Sequence, residues 1–539
     1  MLFLFIFVVE KTAIKNKAMA QRRRFPAGVQ DFEKIRTDGF VYVDKTEYIY
    51  ELANNFGDAL FLSRPRRFGK SLLCSTLKYY FQGRKELFEG LAMERLETEW
   101  TQYPVFYFDM SRCKNDDIEE MKSTLEMLLG NYEIHYGCEA GQLGLGARLQ
   151  QLIEVSHART GHRAVLIFDE YDSPVLNVID SAEKMNAVRS VFNSFYGPVK
   201  SMAEHLRFVF ITGVTKFSQM SIFSTINNLT NISMIEKWEP LCGITAQELE
   251  ENFEEDIARL AVKYKVTPGQ MLQMLRDRYD GYHFGQYMID VYNPFSIVNT
   301  FGNEKLKDYW FASGTPAALL KVLDMYNFKL SDIENTQLFE SDFDQPFDNM
   351  GSAIPILYQS GYLTIKDYNF EENIYTLGIP NQEVHSGFYR ALMPRYLTNN
   401  EADNRSLLMA VKRAMIADDI DAALRAAQSY LSALPYELSN KTERDFETLL
   451  RVMFDCIGIE TQTEVRSARG RCDVVMKSRS TIYVLELKIS STATVDEALA
   501  QIDEKNYLIP YWNDPRRKVK VGVTVNPDTR TIEQWKVAE

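Results

Sequence analysis

The sequence predicts an α/β protein in which two α/β units flank a helical and winged middle region. Two observations carry this prediction. Apolar runs alternate with helical stretches up to about residue 240, and a shorter alternation of the same kind begins near residue 436. The chain of 539 residues is long enough for roughly three domains. Apolar residues make up 45% and charged residues 25% of it, so a large core is available and disorder is not expected.

Three apolar runs predict the strands of the first domain, which we place at residues 25–240. The runs are residues 105–110, 164–169 and 207–213. They are continuous rather than alternating, which indicates a parallel sheet covered on both faces. Helical patterns lie between them, for example at residues 118–129 and 182–195. This order of elements favours an α/β domain.

The rest of the chain divides into three further segments. Residues 241–400 are predicted as a helical lid that leads into a small β-wing, with a hairpin between Ile356 and Tyr375. Residues 401–435 read as a helical connector, with a hairpin around Asp418 and Asp419. The last segment, residues 436–539, follows the order helix, strand, turn, strand, helix, strand and predicts a second small α/β unit.

Residues 1–24 form an N-terminal extension with two interpretations. It opens MLFLFIFVVE, which resembles an export segment, but no basic residue precedes the apolar run and the run is too short to span a bilayer. The simpler hypothesis is that Met19 is the true start and residues 1–18 belong to an over-extended reading frame. No other segment approaches a membrane span, so we expect a cytoplasmic protein with no membrane partner.

Charge and cysteine usage exclude some classes of protein. There are 61 basic and 74 acidic residues, a net charge of −13, which argues against a protein coated in basic surface. A local basic cleft can still bind nucleic acid, particularly with Mg²⁺ between acid and phosphate. The six cysteines and six histidines are scattered and form no pattern with zinc spacing, so the thiols are expected to be free in a reducing cytosol.

Residues 64–73 read RPRRFGKSLL and contain half of a phosphate-binding loop. Gly69 allows close backbone approach, Lys70 bridges phosphates, and the Ser71 hydroxyl holds Mg²⁺ at a helix N-terminus. The usual spacing also requires a glycine at position 64, where this chain has Arg64. Either the match is accidental, or the loop is a variant with a differently shaped entry.

A second motif supports the loop about a hundred residues later. The apolar strand 164–169 ends in Asp169 and continues with Glu170. In this arrangement Asp169 holds Mg²⁺ through water, and Glu170 positions and deprotonates the attacking water. The alternative is a buried strand that ends in a solvated acidic turn. Thr212, at the end of the next strand, is placed like a sensor of the γ-phosphate; Lys216 and the pair Asn227-Asn228 are weaker candidates.

The chain resembles the AAA-ATPase-like family of bacterial proteins in several stretches, including RPRRFGKSLL, FPAGVQDFEKIR, YVDKTEYI, FDEYDSP, FITGVTKFSQMSIFSTINNLT, YDGYHF and YNPFSI. The resemblance runs over nearly the whole chain after residue 25. It implies ATP as the cofactor, and an arginine-rich loop entry is the normal form in this family. The nucleotide-binding residues expected from motifs and resemblance together are Arg66, Arg67, Gly69, Lys70, Ser71, Asp169 and Thr212.

The C-terminal unit carries a second candidate site. Glu486 and Lys488 are two residues apart on one predicted strand and share a face, and Asp473 lies on the preceding strand. Two carboxylates and a lysine at a sheet edge suit a metal-dependent phosphodiesterase. Asp473 and Glu486 would bind Mg²⁺, and Lys488 would orient the attacking water or stabilise developing charge. The alternative is that this pattern is only a solvated strand face.

This spacing is similar to the core of PD-(D/E)XK nucleases, with Cys472 in place of the conventional proline. The resemblance implies three secondary candidates. Glu443 stands where related nucleases place an extra acid, and Gln501 and Lys505 resemble an element that faces the same site. A basic rim is expected from Arg466, Arg469 and Arg471.

Together these motifs predict an ATP-binding module fused to a Mg²⁺-dependent nuclease-like domain that cleaves nucleic acid, with DNA expected first, under the control of ATP. Two other classes stay open: a nucleotide-dependent switch that holds nucleic acid without cutting it, and a protein-assembly scaffold with neither site active. A homo-oligomer is a further expectation, because AAA-like ATPases often form rings. The aromatic stretches at residues 279–284 and 310–316 could stack on bases, but packing within the lid is the preferred interpretation.

Overall fold

The structure is a computed structural model of the whole chain. It describes residues 23–113, 117–138, 143–178, 181–215, 229–313, 316–326, 328, 333, 336–344, 352–396, 401–432, 442–467, 470–529 and 531–539. The chain forms two compact units. Unit 1 comprises Met1–Trp310 and Asn335–Pro380, and unit 2 comprises Phe311–Glu334 and Asn381–Glu539. No helix in the described ranges combines the length and the apolar character needed to cross a membrane.

The strands, in chain order, are β1 (Ala59–Ser63), β2 (Val105–Asp109), β3 (Ala164–Asp169), β4 (Leu206–Gly213), β5 (Thr230–Asn231), β6 (Ile244–Thr245), β7 (Val291–Tyr292), β8 (Gln337–Phe339), β9 (Thr364–Asn369), β10 (Ile374–Gly378), β11 (Glu460–Ser467), β12 (Gly470–Lys477), β13 (Thr481–Ile489), β14 (Arg517–Asn526) and β15 (Thr531–Ala538).

The α-helices, in chain order, are α1 (Phe32–Thr37), α2 (Thr46–Glu51), α3 (Lys70–Phe81), α4 (Ala92–Leu96), α5 (Ile118–Tyr136), α6 (Leu145–Thr160), α7 (Ser173–Asn177), α8 (Ala182–Tyr196), α9 (Pro198–Ser201), α10 (Ala246–Tyr264), α11 (Pro268–Tyr279), α12 (Pro294–Asn303), α13 (Tyr309–Ser313), α14 (Pro316–Met325), α15 (Ile354–Gln359), α16 (Gln382–Tyr396), α17 (Glu401–Ile416), α18 (Ile420–Leu431), α19 (Glu443–Cys456) and α20 (Val495–Lys505).

A five-stranded parallel sheet forms the centre of unit 1, in the order β2-β3-β4-β1-β5. All its pairings are parallel, and β1, β3 and most of β4 are buried. This confirms the predicted parallel α/β domain. Because β4 lies between β1 and β3, the chain leaving β4 emerges between the phosphate loop and the acidic strand end. The carboxyl ends of parallel strands meet at one edge, where such sheets bind their ligands.

Helix α5 shows how tertiary contacts extend a predicted element. The sequence pattern predicts a helix from Ile118 to Leu129, and Gly130 follows. The helix continues to Tyr136 and ends at Gly137, which adopts the left-handed conformation with φ 59°. Buried Glu133, on the added turn, forms an ion pair with Arg148 of α6 at 2.7 Å. Packing against the neighbouring helix therefore outweighs the propensity of a single glycine.

The lid helices of unit 1 begin at strong local signals. α10 and α11 both start with capping boxes, formed by Thr245 with Glu248 and by Thr267 with Gln270. Glu248 also pairs with the buried Lys45 ammonium at 2.5 Å. This ion pair therefore connects Lys45, which directly precedes α2, to the first helix of the lid.

The predicted wing is a three-stranded antiparallel sheet in the order β8-β10-β9, and helix α15 lies between β8 and β9 in the chain. Its tip, between β9 and β10, exposes Phe370 with Glu371 and Glu372 beside it. Lys366, on β9, is an exposed residue whose ammonium donates to the Pro380 carbonyl at 3.0 Å and lies outside the tip. The tip therefore presents carboxylates rather than cations, which disfavours direct contact with a phosphate backbone.

Unit 2 contains a mixed five-stranded sheet in the order β11-β12-β13-β14-β15. The predicted order of elements lacks two of its strands, β11 and β15. Both are edge strands with polar residues at many positions, so they carry no continuous apolar run. Helices α17 and α18, predicted as a connector, share one hydrophobic core with α19 and the sheet. α20 covers the opposite face. The domain boundaries that we predicted from the sequence stay predictions.

Asp418 fastens the α17–α18 hairpin to the sheet. Its carboxylate accepts hydrogen bonds from Thr481 Oγ1 at 2.6 Å, from Tyr483 OH at 2.6 Å and from Arg517 at 3.2 Å.

We expect Asp418→Ala to destabilise unit 2 by about 1–3 kcal/mol, because it leaves buried hydroxyls unpaired. Hydrogen exchange of the β13 amides measures this loss. The control is Asp528→Ala, which truncates an exposed turn side chain, and equal exchange rates in the two variants would contradict the assignment.

Candidate functional site

The phosphate loop connects β1 to α3 at the carboxyl edge of the parallel sheet. Gly69 is the N-cap of α3 and has φ 90°, a conformation that favours glycine. A Cβ at this position would meet nothing within 4 Å, so the requirement for glycine comes from the backbone rather than from crowding. Arg67 also has a positive φ, 66°, which costs a non-glycine residue about 1 kcal/mol. The loop thus places backbone N–H groups at the N-terminus of α3, the arrangement that binds anions.

Lys70 is buried at the start of α3 and is held by the loop itself. Its ammonium donates to the carbonyls of Arg64 at 2.9 Å and of Pro65 at 3.0 Å. Burial lowers the pKa of Lys70, and the neighbouring carboxylate of Asp169 acts in the opposite direction. These two carbonyls are neutral acceptors, which anionic oxygens can replace with stronger, charge-assisted bonds.

Asp169 ends β3 and is almost fully buried. Burial raises the pKa of Asp169 to about 6, although the nearby Ser71 hydroxyl and Lys70 ammonium lower it. Tyr107 OH donates to Oδ2 at 3.1 Å. Oδ1 is buried, and no described residue gives it a hydrogen bond of normal geometry. A carboxylate oxygen without a donor beside a serine hydroxyl is a donor set that Mg²⁺ accepts.

Glu170 follows at once and has φ 50°, an uncommon conformation for a residue with a side chain. Its charge acts on both Asp169 and Lys70, which places its carboxylate at the same edge. The structure therefore brings Glu170, Asp169, Lys70 and Ser71 together, in agreement with the grouping expected from the motifs. Their catalytic and binding roles stay predictions.

The end of β4 differs from expectation in detail. Thr212 is fully buried and donates its hydroxyl proton to the Leu62 carbonyl at 2.7 Å, so its sensor role stays a prediction. Sequence reasoning missed Asp172, whose Oδ2 accepts from Val214 N at 3.0 Å, Thr215 N at 2.7 Å and Thr215 Oγ1 at 2.7 Å. The signal was available as the last acid of Asp-Glu-Tyr-Asp. Lys216, Asn227 and Asn228 lie outside the described residues.

The three arginines of the loop have different environments. Arg64 is one of the largest fully buried side chains of the described chain. Arg66 and Arg67 are exposed. The Arg67 guanidinium lies 4.7 Å from the ring centroid of Phe295, and the Arg66 carbonyl accepts from Trp310 Nε1 at 2.9 Å. Of the three side chains, only those of Arg66 and Arg67 are therefore accessible to a ligand without rearrangement.

In unit 2, strand β13 has no solvated face. Leu485 and Leu487 belong to the core with the helical hairpin, while Ile482 and Val484 pack under α20. Glu486 is itself only 1% exposed. Burying a carboxylate is costly unless it has partners or a function. The interpretation of Glu486 and Lys488 as a solvated strand face is therefore wrong.

The side chains around Glu486 converge as the resemblance implies. Lys488 Nζ donates to Glu486 Oε1 at 2.9 Å, and Gln501 Nε2, from α20, donates to the same oxygen. Asp473, on β12, accepts from Leu487 N through Oδ2 at 2.7 Å. The predicted group of Asp473, Glu486, Lys488 and Gln501 is thus brought together at one end of the β12–β13 pair.

Burial and the charge of Asp473 raise the pKa of Glu486 to about 7, while Lys488 lowers it. Glu486 Oε2 is buried and receives no hydrogen bond of normal geometry from the described residues, although the backbone N–H of Asp473 also lowers the pKa of this carboxyl group. This oxygen, together with the Asp473 carboxylate nearby, fits a divalent cation. In the described part of the chain no three histidine, cysteine or carboxylate residues form a complete metal cluster. Mg²⁺ needs fewer protein ligands, because it keeps waters and substrate phosphates.

The secondary candidates are only partly placed. Glu443 begins α19, but its side chain lies outside the described part, as do those of Arg466 and Arg469. One turn further along α19, sequence reasoning missed Glu447, which is buried and whose charge acts on Cys472. Glu443 and Glu447 are four residues apart and so share one helix face, and the sequence gave no means to choose between the two acids.

The far end of α20 lies against the beginning of β12. A Cβ placed on Gly470 would lie 3.7 Å from Lys505 Cδ, and exposed Arg471 is the next residue. Tyr507 was also missed: its OH donates to the Arg471 carbonyl at 2.7 Å and accepts a long bond from Gln501 at 3.5 Å. Gln501 therefore has Glu486 on one side and Tyr507 on the other.

Comparison with known proteins agrees with both family resemblances. Residues 26–223 match the family described as "Predicted AAA-ATPase", and residues 441–535 match the PD-(D/E)XK nuclease superfamily. A relative from Azotobacter chroococcum mcd 1, described as "Uncharacterized protein in vnfD 5'region", is 29% identical over 525 residues. That similarity covers 95% of this chain and 98% of the relative, so it extends over both matched regions of this chain. The two resemblances proposed from the sequence are confirmed.

The raised pKa of Glu486 predicts a pH-dependent stability of metal-free unit 2. Folding raises this pKa from 4.5 to about 7, so the native state binds the proton more tightly and loses stability as pH rises through that window. We expect Glu486→Gln to abolish this loss, and to be more stable than the unmodified chain at pH 8 in EDTA by about 1–3 kcal/mol. Thermal unfolding across pH 5–8 measures it.

The control for this experiment is Glu504→Gln, an exposed acid on the same helix as Gln501. It should keep the pH slope of the unmodified chain. An unchanged slope in Glu486→Gln would show that Glu486 is ionised throughout this range.

Proposed function

We propose that this chain, which combines an AAA-ATPase-like domain with a PD-(D/E)XK nuclease-like domain, binds Mg²⁺-ATP in unit 1 and cleaves phosphodiester bonds of nucleic acid in unit 2, with cleavage governed by the nucleotide. One observation carries the cleavage proposal. Lys488 and Gln501 both donate to one oxygen of buried Glu486 and leave the other oxygen without a donor among the described residues. A purely structural carboxylate would be expected to have both oxygens satisfied.

In unit 1 the chain's own groups bind and orient the nucleotide. Lys70 exchanges its two carbonyl partners for phosphate oxygens, and the N–H groups around Gly69 receive the same anion. Ser71 and Asp169 would hold the cation, which neutralises phosphate charge when it is bound. Glu170 accepts the proton of the attacking water, for which its place one residue beyond Asp169 is suited.

In unit 2 Asp473 and Glu486 would hold the cation, which lowers the pKa of a bound water when present. Gln501 and Lys488 fix the rotamer of Glu486, so that its second oxygen keeps a constant direction. The Lys488 ammonium lies within hydrogen-bond distance of that carboxylate and is partly exposed, so it can stabilise the charge that develops on the phosphate. Arg471 is exposed at the beginning of β12 and can contact the substrate backbone.

The proposed partner is nucleic acid, with DNA as the first substrate to test, and the proposed setting is the bacterial cytoplasm. A homo-oligomer is part of the proposal, because related ATPase domains often act as rings. The acidic tip of the wing makes it a poor phosphate contact. Substrate binding is therefore assigned to unit 2 rather than to the wing.

The nuclease assignment predicts the behaviour of two variants. Lys488→Ala and Glu486→Gln should each lower Mg²⁺-dependent cleavage of linear DNA by about 10²-fold or more, since the first removes the ammonium that stabilises charge on the phosphate and the second removes a carboxylate proposed to hold the cation. Gel-based cleavage assays on linear, nicked and single-stranded DNA and on RNA measure this. Lys536→Ala, which removes an exposed lysine of β15 paired with Asp496, should cleave normally. Full activity in Lys488→Ala would refute the assignment.

The nucleotide site predicts a second contrast. Lys70→Ala should lose ATP binding, whereas Glu170→Gln should bind ATP and hydrolyse it at least about 10²-fold more slowly, because only the proton acceptor is removed. Binding calorimetry and phosphate release separate the two. Lys78→Ala, on the same helix but two turns from the loop, is the control.

The same two variants decide how ATP governs cleavage. If binding is the signal, Glu170→Gln keeps ATP-dependent cleavage and Lys70→Ala loses it. If turnover is the signal, both lose it. Cleavage that is indifferent to ATP and to both variants would reject the coupling and leave two independent sites.

A further inference from the structure

Arg64 occupies the position where the usual phosphate loop has a glycine, and its side chain turns into the protein. The guanidinium donates to three backbone carbonyls: Ser63 at 2.9 Å, Ser233 at 2.7 Å and Trp238 at 3.1 Å. The side chain is 1% exposed. The side chain therefore connects the end of β1 to the backbone at Ser233 and Trp238, and it is not placed to contact a ligand.

The burial of this cation is energetically unusual. Its hydrogen-bond acceptors among the described residues are carbonyls, and Nε has no acceptor there. Burial lowers the pKa of Arg64, and the Cys242 and Glu239 side chains only partly offset this. A buried charge without an ion-pair partner is costly. Such an arrangement indicates that the fold uses the multiple, rigid donors of a guanidinium at this point.

An aromatic cluster completes the attachment. The Arg64 guanidinium lies 4.1 Å from the ring centroid of Phe284. Phe68, at the other end of the loop, packs edge-on against Tyr282 at 4.7 Å and against Phe284 at 5.5 Å between ring centroids. The loop is thus anchored at residues 64 and 68, and the exposed Arg66 and Arg67 lie between the two anchors.

We propose that Arg64 is a positioning residue of the nucleotide site, which sets the shape of the phosphate loop from beneath and takes over the role of the missing glycine. The inference rests on the proposed nucleotide binding. Its physical basis is the Arg64 backbone, whose carbonyl accepts from Lys70 and whose N–H donates to Gly213 O at 3.2 Å. If the Arg64 side chain is held in place, its backbone N–H and carbonyl are held in place as well. That carbonyl is one of the acceptors that Lys70 leaves when it binds phosphate.

The test measures ADP and non-hydrolysable ATP analogue affinities of full-length Arg64→Met and Arg64→Lys by calorimetry. We expect Kd to rise about tenfold or more in both variants, since an ammonium cannot reach three carbonyls in a fixed geometry. A charge effect alone would spare Arg64→Lys.

A stability control separates positioning from general destabilisation. Arg148→Met breaks the buried pair with Glu133 on α5 and α6, so it should lower the melting temperature but keep Kd within about twofold and keep the ADP-induced rise in Tm. Arg64→Met should lose most of that rise. If Arg64→Met does not fold, Arg64→Lys and Phe284→Leu, which removes the stacked ring, provide the same comparison.

The outcomes are distinct. Kd within twofold of the unmodified chain in Arg64→Lys, or in a folded Arg64→Met, would overturn the inference while leaving the proposed function intact. Failure of the unmodified chain to bind either nucleotide would reject the proposed function, and this inference with it.

Discussion

Asp169 and Glu486 each bury a carboxyl group and leave one of its oxygens without a hydrogen-bond donor among the described residues. Burial raises the pKa of both, to about 6 and about 7, so each unit loses stability to keep an acid at this place. The partners on the opposite oxygens, Tyr107 in one unit and Lys488 with Gln501 in the other, hold each carboxylate in one orientation. Each unit thus presents one carboxylate oxygen in a fixed orientation, as its proposed cation site requires.

The carboxyl edge of the parallel sheet is held together by hydrogen bonds within the protein. Arg64 N donates to Gly213 O at 3.2 Å, and Tyr171 N donates to Thr212 O at 3.1 Å. Asp172 takes three donors from residues 214–215. These bonds join the ends of β1, β3 and β4, whose order in the sheet places them side by side. A phosphate that displaces Lys70 would therefore affect the joined ends of β1, β3 and β4, and not the loop alone.

The sequence predicted what depends on long apolar runs and short motifs. Strand β3 has its predicted bounds, and the groups around Lys70 and Glu486 come together as expected. It missed what depends on packing. Strands β11 and β15 are sheet edges with polar residues, helix α5 continues through Gly130, and Asp172 and Tyr507 act through partners distant in sequence. No local pattern shows which carbonyl or amide a buried side chain will reach.

The arginine-rich loop entry illustrates the same limit. Three arginines in four residues suggest three phosphate contacts, yet their burial separates them: Arg64 is internal, whereas Arg66 and Arg67 are exposed. A glycine at position 64 would leave the carbonyls of Ser233 and Trp238 without this donor and Phe284 without its stacked cation. The rest of the domain, including the YDGYHF stretch that supplies Phe284, is fitted to an arginine. The departure from the usual loop is therefore compensated by contacts far along the chain, and it is consistent with a working phosphate site.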